Sequence, residues 1–269
     1  MTPMTTIDQI INSGKFFFIA GPCAIESKDL CFEVAERLTA LSTQFDVPVI
    51  FKSSYAKANR LSGESFSGHG ISFGLEVLAA VKTKFHLPIL TDVHETSEIA
   101  EVSRVADILQ IPAFLCRQTE LVRTAAATGK WINIKKGQFV APEDMDKIAA
   151  KAGTKKVMLT ERGSSFGYHN LVVDFRSFVM MKKYGYPVIY DVTHSLQLPG
   201  GGGHNSSGQP QFVIPMARAA AAIGIDGIFV ETHPEPSKAL CDAASMIRLD
   251  LMEDLIAQVL AIHGSRRED

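Results

Sequence analysis

Val49-Ile-Phe-Lys-Ser-Ser-Tyr-Ala-Lys-Ala-Asn-Arg60 is the stretch from which the fold of this chain can be predicted. It opens as an apolar, β-branched run that is typical of a buried strand, and it then presents several polar side chains in succession. The cations Lys52, Lys57 and Arg60 lie so close together that they repel each other unless an anion binds among them. A solvated basic loop is the alternative. Because ligands bind at the carboxyl ends of strands in parallel α/β folds, we expect a site for phosphate or carboxylate groups here.

Short apolar runs followed by a polar tip and a helical pattern recur along the whole chain. The runs are Phe16–Ala20, Val49–Phe51, Ile89–Leu90, Ile108–Ile111, Trp131–Ile134, Val157–Leu159, Val188–Tyr190 and Ile228–Val230. Short runs without alternation fit strands that are buried on both faces of a parallel sheet. Repeated strand–helix units over a chain of about 250 residues are typical of a (β/α)8 barrel.

We therefore predict an α/β fold made of a single (β/α)8 TIM barrel over residues 1–269, with a disordered tail at residues 265–269. A doubly wound sheet is the rival architecture. It usually has fewer strands and a glycine-rich turn after the first strand, whereas the first turn here is Gly21-Pro22-Cys23.

The composition excludes several functional classes. The chain has 269 residues, of which 46% are hydrophobic and 21% are charged, and its net charge is −2. These values are ordinary for a globular protein and give no support for nucleic acid or an anionic membrane as a partner. The four cysteines are scattered without a CxxC pair, which favours a reducing, cytoplasmic location. The apolar patch at Phe16–Ala20 is too short to span a membrane.

Polar residues follow every predicted strand, and in a barrel these ends converge on one mouth. In chain order they are Cys23; Lys52, Lys57 and Arg60; Asp92 and His94; Gln110; Lys135 and Gln138; Glu161 and Arg162; Asp191 and His194; and Glu231 and His233. Any one of them alone is more often a structural residue than a functional one. Their presence on all eight predicted tips favours a functional site.

The tips divide into two chemical sets. The cations Lys57, Arg60, Lys135 and Arg162 are enough for two separate anions. Cys23, His194 and Glu231 follow strands one, seven and eight, which become neighbours when the barrel closes, and Asp242 could complete a four-ligand metal site. Spacing alone gives this metal site weak support, because no two of the ligands share a short motif.

A glycine-rich segment, Leu198-Pro-Gly-Gly-Gly-Gly-His-Asn-Ser-Ser-Gly208, follows the seventh strand. Four consecutive glycines cannot contribute to a core, and ordering them costs considerable entropy. A flexible surface loop is one interpretation. The functional interpretation is a lid that closes over the mouth of the barrel.

Seven motifs together resemble the 3-deoxy-D-manno-octulosonate-8-phosphate synthases. They are Gly21-Pro-Cys-Ala-Ile-Glu-Ser27, Lys57-Ala-Asn-Arg60, Gln110-Ile-Pro-Ala-Phe114, Asn133-Ile-Lys-Lys-Gly-Gln138, Glu161-Arg-Gly163, Asp191-Val-Thr-His-Ser-Leu-Gln-Leu-Pro-Gly200 and Glu231-Thr-His-Pro-Glu-Pro236. The resemblance extends over almost the whole chain. The sister family, which makes a seven-carbon deoxy-keto-acid phosphate from erythrose 4-phosphate, typically has Lys-Pro-Arg in place of Lys57-Ala-Asn-Arg60. This difference favours the octulosonate family.

The resemblance implies a condensation of phosphoenolpyruvate with arabinose 5-phosphate and water that releases phosphate, in the synthesis of lipopolysaccharide precursors. It implies that Lys57, Lys135 and Arg162 bind phosphoenolpyruvate and that Asn59 and Arg60 bind the sugar phosphate. The remaining cavity residues that it implies are Lys52, Ser54, Asp92, Gln110 and Gln138. Catalysis is expected from Lys57, Asn59, Lys135 and His194.

The resemblance also implies a homotetramer in which Arg117 reaches the sugar phosphate of a neighbouring subunit. The family has a metal-dependent branch, with Cys in the Gly-Pro-Cys motif, and a metal-independent branch, with Asn in that position. Because this chain has Cys23 there, the resemblance implies the metal-dependent branch. It thus implies one divalent transition metal (zinc, iron, manganese or cobalt) on Cys23, His194, Glu231 and Asp242. Two residues depart from the family pattern: Ser67 and Pro210 stand where arginines are expected. Both residues lie in predicted loops, so we expect them to affect the order of these loops and the affinity for the sugar phosphate, and not the chemistry.

Two alternatives to this function remain open. One is a different metal-assisted aldolase that acts on a sugar phosphate, and a screen of substrates for phosphate release distinguishes it. The other is a barrel without catalytic activity that serves as a binding or structural module. The second alternative predicts that the strand tips are dispensable, and the complete set of polar tips argues against it.

Overall fold

The computed structural model describes residues 6–58, 67–202 and 205–266, and its centre is a closed barrel of parallel strands. The barrel strands are β1 (Phe17–Gly21), β2 (Val49–Lys52), β3 (Ile89–Asp92), β4 (Ile108–Ile111), β5 (Trp131–Lys135), β6 (Val157–Glu161), β7 (Val188–Asp191) and β8 (Gly227–His233). Each strand pairs in parallel with the next, and β1 closes the barrel by pairing with β8 from Phe17 opposite Gly227 to Gly21 opposite Glu231. The predicted (β/α)8 TIM barrel is confirmed.

Helices surround the barrel. They are α1 (Ile7–Asn12), α2 (Lys28–Gln44), α3 (Ile71–Phe85), α4 (Ile99–Val102), α5 (Thr119–Ala127), α6 (Met145–Ala150), α7 (Arg176–Lys182), α8 (Val213–Ile223) and α9 (Met252–Gly264). Helices α2 to α8 connect successive strands, whereas α1 precedes β1 and α9 follows β8. Single 3₁₀ turns lie at Thr96–Glu98, Ala113–Leu115, Pro142–Asp144, His194–Leu196, Pro210–Phe212, Pro236–Lys238 and Leu249–Leu251. No described helix is both long enough and apolar enough to cross a membrane.

The barrel strands alternate between two cores. On β1, Phe16, Phe18 and Ala20 pack outward against the helices, whereas Phe17 and Ile19 pack into the interior of the barrel. This alternation follows from the pleat of a strand, in which successive side chains point to opposite faces. The interior cluster consists of Phe17, Ile19, Ile50, Leu90, Ile108, Trp131, Met158, Ile189 and Phe229, together with Ile7 and Ile10 of α1.

Helix α1 closes the amino end of the barrel, and the sequence analysis did not predict it. Thr6 and Gln9 form a capping box at its start, with Gln9 N donating to Thr6 Oγ1 at 3.2 Å and Thr6 N donating to Gln9 Oε1 at 2.8 Å. Trp131 Nε1 donates to Asp8 Oδ1 at 3.0 Å and so ties the helix to β5. The Thr-x-x-Gln spacing was the signal in the sequence that could have revealed this helix.

Two hairpins rise above the carboxyl end of the barrel. One pairs Ser164–Ser165 with Leu171–Val172, and the other pairs Gln197–Gly202 with Asn205–Gly208 in antiparallel fashion. The second hairpin contains most of the glycine-rich segment, so those described residues are paired strands rather than an irregular loop. Gly203 and His204 lie outside the described residues, and the lid function stays a prediction.

The carboxyl-terminal tail was predicted to be disordered, and its first two residues are described. Ser265 N donates to Ile262 O at 3.2 Å, and the Arg266 guanidinium contacts His263 Nδ1 at 3.0 Å. Residues 267–269 of the predicted tail lie outside the described residues.

Candidate active site

A cavity of about 870 Å³ opens at the carboxyl ends of the strands. Its lining includes many of the predicted residues: Lys52, Ser54, Lys57, Asp92, Gln110, Lys135, Gln138, Arg162, His194 and Asp242. The strands place these residues by extending farther than the apolar runs suggest. β3 continues to Asp92 and β5 to Lys135, so the polar residues at the ends of these strands belong to the barrel sheet and not to the loops that follow it.

Three of the four predicted metal ligands form one cluster. Ligand atoms of Cys23, Glu231 and Asp242 all lie within 4.8 Å of one another, and Cys23 Sγ is 3.2 Å from Asp242 Oδ2. The fourth, His194, has its Nε2 3.6 Å from Glu231 Oε2. Glycine at position 21 permits this convergence, because a Cβ there would overlap the carbonyl oxygen of Lys52 on β2.

Asp191 fixes the orientation of His194. Its carboxylate oxygens lie 2.8 and 3.0 Å from His194 Nδ1, and its Oδ1 accepts the backbone N–H of His194 at 2.9 Å. A carboxylate on Nδ1 favours the tautomer whose Nε2 lone pair faces away from it, and here Nε2 faces Glu231. Burial raises the pKa of Asp191, but the charges of His194 and Lys135 outweigh burial and hold that pKa well below its usual value.

Glu231 is a fully buried carboxylate with one oxygen occupied and one orphaned. Its Oε1 accepts a hydrogen bond from Lys52 Nζ at 2.5 Å and lies 4.0 Å from Lys57 Nζ. Its Oε2 is buried and has no hydrogen-bond partner among the residues that the structure describes. Burial raises the pKa of Glu231, but Lys52, His194 and Lys57 outweigh burial and keep the carboxyl ionised. An ionised oxygen without a partner is costly to bury, so it indicates a missing cation or donor.

Positive side chains line the cavity around β2, β5 and β6. Lys135 Nζ bonds to Asp191 Oδ2 and lies 3.2 Å from the centre of the Phe229 ring. Arg162 is buried, and its NH2 donates to the neutral oxygen of Gln197 at 3.0 Å. Burial lowers the pKa of Lys135 to about 8, although Asp191 opposes this shift. Buried cations without full neutralisation favour binding of an anionic ligand.

The family comparisons agree with this geometry. The model of the DAHP synthetase I family matches residues 3–261. A protein from Dichelobacter nodosus (strain VCS1703A), named 2-dehydro-3-deoxyphosphooctonate aldolase, is 53% identical over 96% of this chain and 95% of its own. Proteins of the same name are 51% identical in Cyanothece sp. (strain PCC 7425 / ATCC 29141), over 96% of each chain, and 48% identical in Desulfatibacillum aliphaticivorans, over 97% of this chain and 98% of its own.

The chain belongs to the DAHP synthetase I family. Within it, the chain groups with the 2-dehydro-3-deoxyphosphooctonate aldolases, which is another name for the octulosonate 8-phosphate synthases that its motifs resemble. This family membership confirms the resemblance. The sister enzyme that uses erythrose 4-phosphate is not favoured.

In this member of the DAHP synthetase I family, the described cavity does not account for every residue that was predicted to bind substrate. Asn59 and Arg60 lie outside the described residues. Arg117 is exposed, and the cavity lining does not include it. Of the two departures from the family pattern, Ser67 accepts a hydrogen bond from Lys57 N through its carbonyl oxygen at 2.9 Å. Pro210 occupies the first position of a 3₁₀ turn, where a missing N–H costs nothing.

A polar network around His94 joins the predicted residues Ser54, Asp92 and His94 to Tyr55 and Glu98, which were not predicted from the sequence. His94 Nε2 lies 3.0 Å from Asp92 Oδ2, and Ser54 Oγ donates to Asp92 Oδ1 at 2.5 Å. Behind His94, Glu98 Oε2 accepts hydrogen bonds from Tyr55 Oη at 2.7 Å and from His94 N at 3.1 Å. Burial lowers the pKa of His94, but the bond to Asp92 and the charges of Asp92 and Glu98 raise it overall. The network therefore fixes the position of Asp92 at the cavity wall.

Two amide side chains complete the wall of the site. Asn133 Nδ2 donates to Gln110 Oε1 at 3.0 Å, and Thr160 Oγ1 donates to Asn133 Oδ1 at 2.5 Å. These hydrogen bonds use the oxygen of Gln110 and leave its amide nitrogen for a ligand. Within the described part of the protein, Gln138 Oε1 is buried and has no hydrogen-bond partner. Gln110 and Gln138 therefore offer a donor and an acceptor to whatever occupies the cavity.

Proposed function

We propose that this chain condenses phosphoenolpyruvate with D-arabinose 5-phosphate and water to give 3-deoxy-D-manno-octulosonate 8-phosphate and phosphate. The observation that carries this function is a single cavity, in a member of this family, that joins buried cations to a Cys–His–carboxylate cluster. Both substrates are phosphorylated, and the cavity provides positive charge for them on Lys57, Lys135 and Arg162.

The reaction forms a carbon–carbon bond and breaks a carbon–oxygen bond. The enol carbon of phosphoenolpyruvate attacks the aldehyde carbon of the sugar, water adds to the carbon that bears the phosphate, and phosphate then leaves. The cations hold the carboxylate and the phosphate of phosphoenolpyruvate in place, which makes the attack effectively intramolecular. Asp92, held by Ser54 and His94, and Gln110 bind hydroxyl groups near the aldehyde. Asn59 and Arg60 bind the sugar phosphate.

We further propose one divalent transition metal on Cys23, His194, Glu231 and Asp242. The orphaned oxygen of Glu231, the Nε2 of His194 turned toward it and the nearby Cys23 sulfur support this assignment. A thiolate, an imidazole and carboxylates together suit zinc, iron, manganese or cobalt better than magnesium. When bound, the metal supplies Lewis acidity and a template for the water or for the aldehyde oxygen of the sugar.

The oligomer that we propose is a homotetramer, and an exposed aromatic patch supports it. The patch consists of Phe114, Phe139, Phe166 and Tyr168, and the last two are 70% and 99% exposed. The segments that carry these side chains adjoin one another: Gly137 lies beside the carbonyl oxygen of Ala113 and the ring of Phe139, and Ser165 N donates to Gln138 O at 3.0 Å. A large exposed apolar patch marks an interaction surface. Arg117 lies close in sequence to Phe114 of this patch, and we propose that it reaches the sugar phosphate of the neighbouring subunit.

We place the reaction in the cytoplasm. All four cysteines are free thiols in the structure, as expected for a protein of a reducing compartment.

Phosphate release tests this function directly. The purified chain is incubated with phosphoenolpyruvate and each candidate aldose phosphate, and inorganic phosphate is measured. We expect release with arabinose 5-phosphate and much less with erythrose 4-phosphate. An ordinary aldol addition releases no phosphate, so a new carbon–carbon bond without phosphate release would contradict the proposal. Equal rates with both sugars would contradict the assignment to the octulosonate reaction.

A further inference from the structure

Cys241 is a buried cysteine for which the proposed reaction has no use, and its thiol lies against that of Cys23. The two side chains pack together in a small buried cluster with Ala24 and Met246. Cys241 immediately precedes Asp242, whose carboxylate bonds to Cys23 Sγ at 3.2 Å. The loop after β8 thus brings a second thiol to the end of β1.

The two thiols differ in their access to solvent. Cys241 lines the cavity, whereas Cys23 is only 1% exposed and the cavity lining does not include it. A small oxidant that enters the cavity therefore reaches Cys241 first. The other two cysteines, Cys31 and Cys116, are buried in the outer core and do not line the cavity.

We propose that Cys23 and Cys241 form a reversible disulfide when a peroxide enters the cavity of the metal-free protein. The sulfur of Cys241 attacks a peroxide oxygen, the O–O bond breaks, and the departing hydroxide takes the proton of the thiol and leaves as water, so that Cys241 becomes a sulfenic acid. The sulfur of Cys23 then attacks the sulfur of the sulfenic acid, the S–O bond breaks, and a second water leaves. Two thiols are oxidised to one disulfide, and one hydrogen peroxide is reduced to two waters.

The consequence for metal binding rests on the proposed function, in which Cys23 is a metal ligand. A disulfide removes the thiolate from the Cys23–Glu231–Asp242 cluster, so the oxidised protein loses affinity for the metal. Conversely, a metal held by Cys23 occupies the sulfur that must attack Cys241, so it protects the pair. Because the disulfide is reduced by small thiols, the loss is reversible.

The test uses the full chain, stripped of metal with a chelator, reduced and then treated with hydrogen peroxide. We expect free thiols, counted in denaturant, to fall from four to two and the intact mass to fall by two hydrogens. Trypsin should release residues 16–28 joined to residues 239–248. Dithiothreitol should restore four thiols and zinc binding. Oxidation to sulfinic acid without linked peptides, or four thiols remaining after peroxide is consumed, would overturn the proposal.

Matched variants locate the reaction. Cys241→Ser should keep its three remaining thiols under the same treatment, whereas Cys116→Ser should fall from three to one. If Cys241→Ser does not fold, the linked peptides of the wild-type chain still decide the outcome. Prior loading with zinc should reduce the yield of linked peptides, and an unchanged yield would contradict the protection. None of these measurements needs substrate, so a chain that forms the disulfide but releases no phosphate contradicts only the proposed function.

Discussion

The two ends of the barrel interior share one scaffold and differ in chemistry. At the amino end, Ile7 and Ile10 of α1 seal an apolar layer that includes Phe17 and Trp131. At the carboxyl end, the same strands bury charges such as Lys135 and Glu231 beneath an open cavity. Burial at the amino end stabilises the fold through the hydrophobic effect, whereas burial of charge at the carboxyl end costs free energy that a ligand recovers. Changes at the two ends should therefore have separate effects.

Removal of the metal should give the largest effect and act only on the carboxyl end. We expect the chelator-stripped protein, shown to be metal-free by elemental analysis, to lose its phosphate-releasing activity while its far-ultraviolet circular dichroism is unchanged. Manganese, cobalt, iron or zinc should restore activity to different degrees.

Two cysteine variants serve as the control for this prediction. Cys23→Ala should lose most of its metal affinity, whereas Cys31→Ala, which removes a buried thiol in α2, should keep it. Full activity of the metal-free protein would contradict the metal site.

A substitution at the amino end should lower stability alone. Ile10 is 2% exposed and fills the closed end of the barrel, so Ile10→Ala should lower the free energy of unfolding by about 2–5 kcal/mol. Denaturant melts measure this change, and the KM values of the folded enzyme should stay as in the wild type. Ile11→Ala, at a half-buried position of the same helix, should cost less. A raised KM in the folded Ile10→Ala variant would show that the two ends are coupled.

The alternation of the strands explains how much of the site the sequence could predict. The interior residues Phe229 and Ile189 are each followed two positions later by a site residue, Glu231 and Asp191. The same spacing turns Glu161 outward, where its Oε1 accepts the N–H of Gly163 at 2.7 Å. Strand tips and their faces therefore follow from apolar runs and the two-residue period.

The contributions of loops could not be predicted in this way. Asp242 reaches the cluster from a loop in which its own φ is 47°, in the left-handed region that non-glycine residues seldom adopt. Its place shortly after the eighth strand made it a candidate ligand, and the family resemblance then implied its role. The bond between Tyr55 and Glu98 behind His94 joins the loop after β2 to the 3₁₀ turn after β3, and no sequence period relates the two residues.

The adjacent residues Lys135, the last residue of β5, and Lys136, which follows it, allow a sharper comparison, because their side chains lie on opposite sides of the barrel wall. Lys135 points into the cavity, whereas Lys136 is buried outside the barrel, where its Nζ bonds to Ser164 Oγ at 3.0 Å and lies 3.4 Å from Glu161 Oε1. Lys135→Met should lower kcat/KM for phosphoenolpyruvate by a factor that corresponds to about 1.5–3 kcal/mol, because a charge-assisted contact is lost, while the fold survives.

Lys136→Met is the matched variant, and it should instead destabilise the fold because it leaves Glu161 buried without its cation. The folded fraction of Lys136→Met should bind phosphoenolpyruvate as the wild type does. If Lys135→Met unfolds and its folded fraction keeps wild-type affinity, Lys135 is a structural residue and its assignment to the substrate is wrong.

The smallest expected effect is a dependence of kcat/KM for phosphoenolpyruvate on pH, which should arise from the titration of Lys135. Burial lowers the pKa of Lys135 to about 8, so the lysine is charged below pH 8 and loses its proton as the pH rises through that value. Only the charged form attracts an anion, and the phosphate of phosphoenolpyruvate is almost fully ionised above about pH 7, because the second pKa of a phosphate ester is about 6. We therefore expect kcat/KM for phosphoenolpyruvate to be level between about pH 7 and 8 and to fall by up to about tenfold per pH unit above pH 8.

Lys135→Arg separates the contribution of Lys135 from that of every other group, because a guanidinium keeps its charge throughout this range. The variant should lose the fall above pH 8 even where its activity at neutral pH is lower, since its shape differs from that of lysine. Initial rates at low phosphoenolpyruvate and saturating arabinose 5-phosphate, measured from pH 6 to 10, give both profiles. An identical fall in Lys135→Arg would assign the titration to another group. A wild-type profile that stays level to pH 10 would mean that Asp191 holds the proton on Lys135 in the free enzyme, and that burial does not lower the pKa of this lysine to about 8.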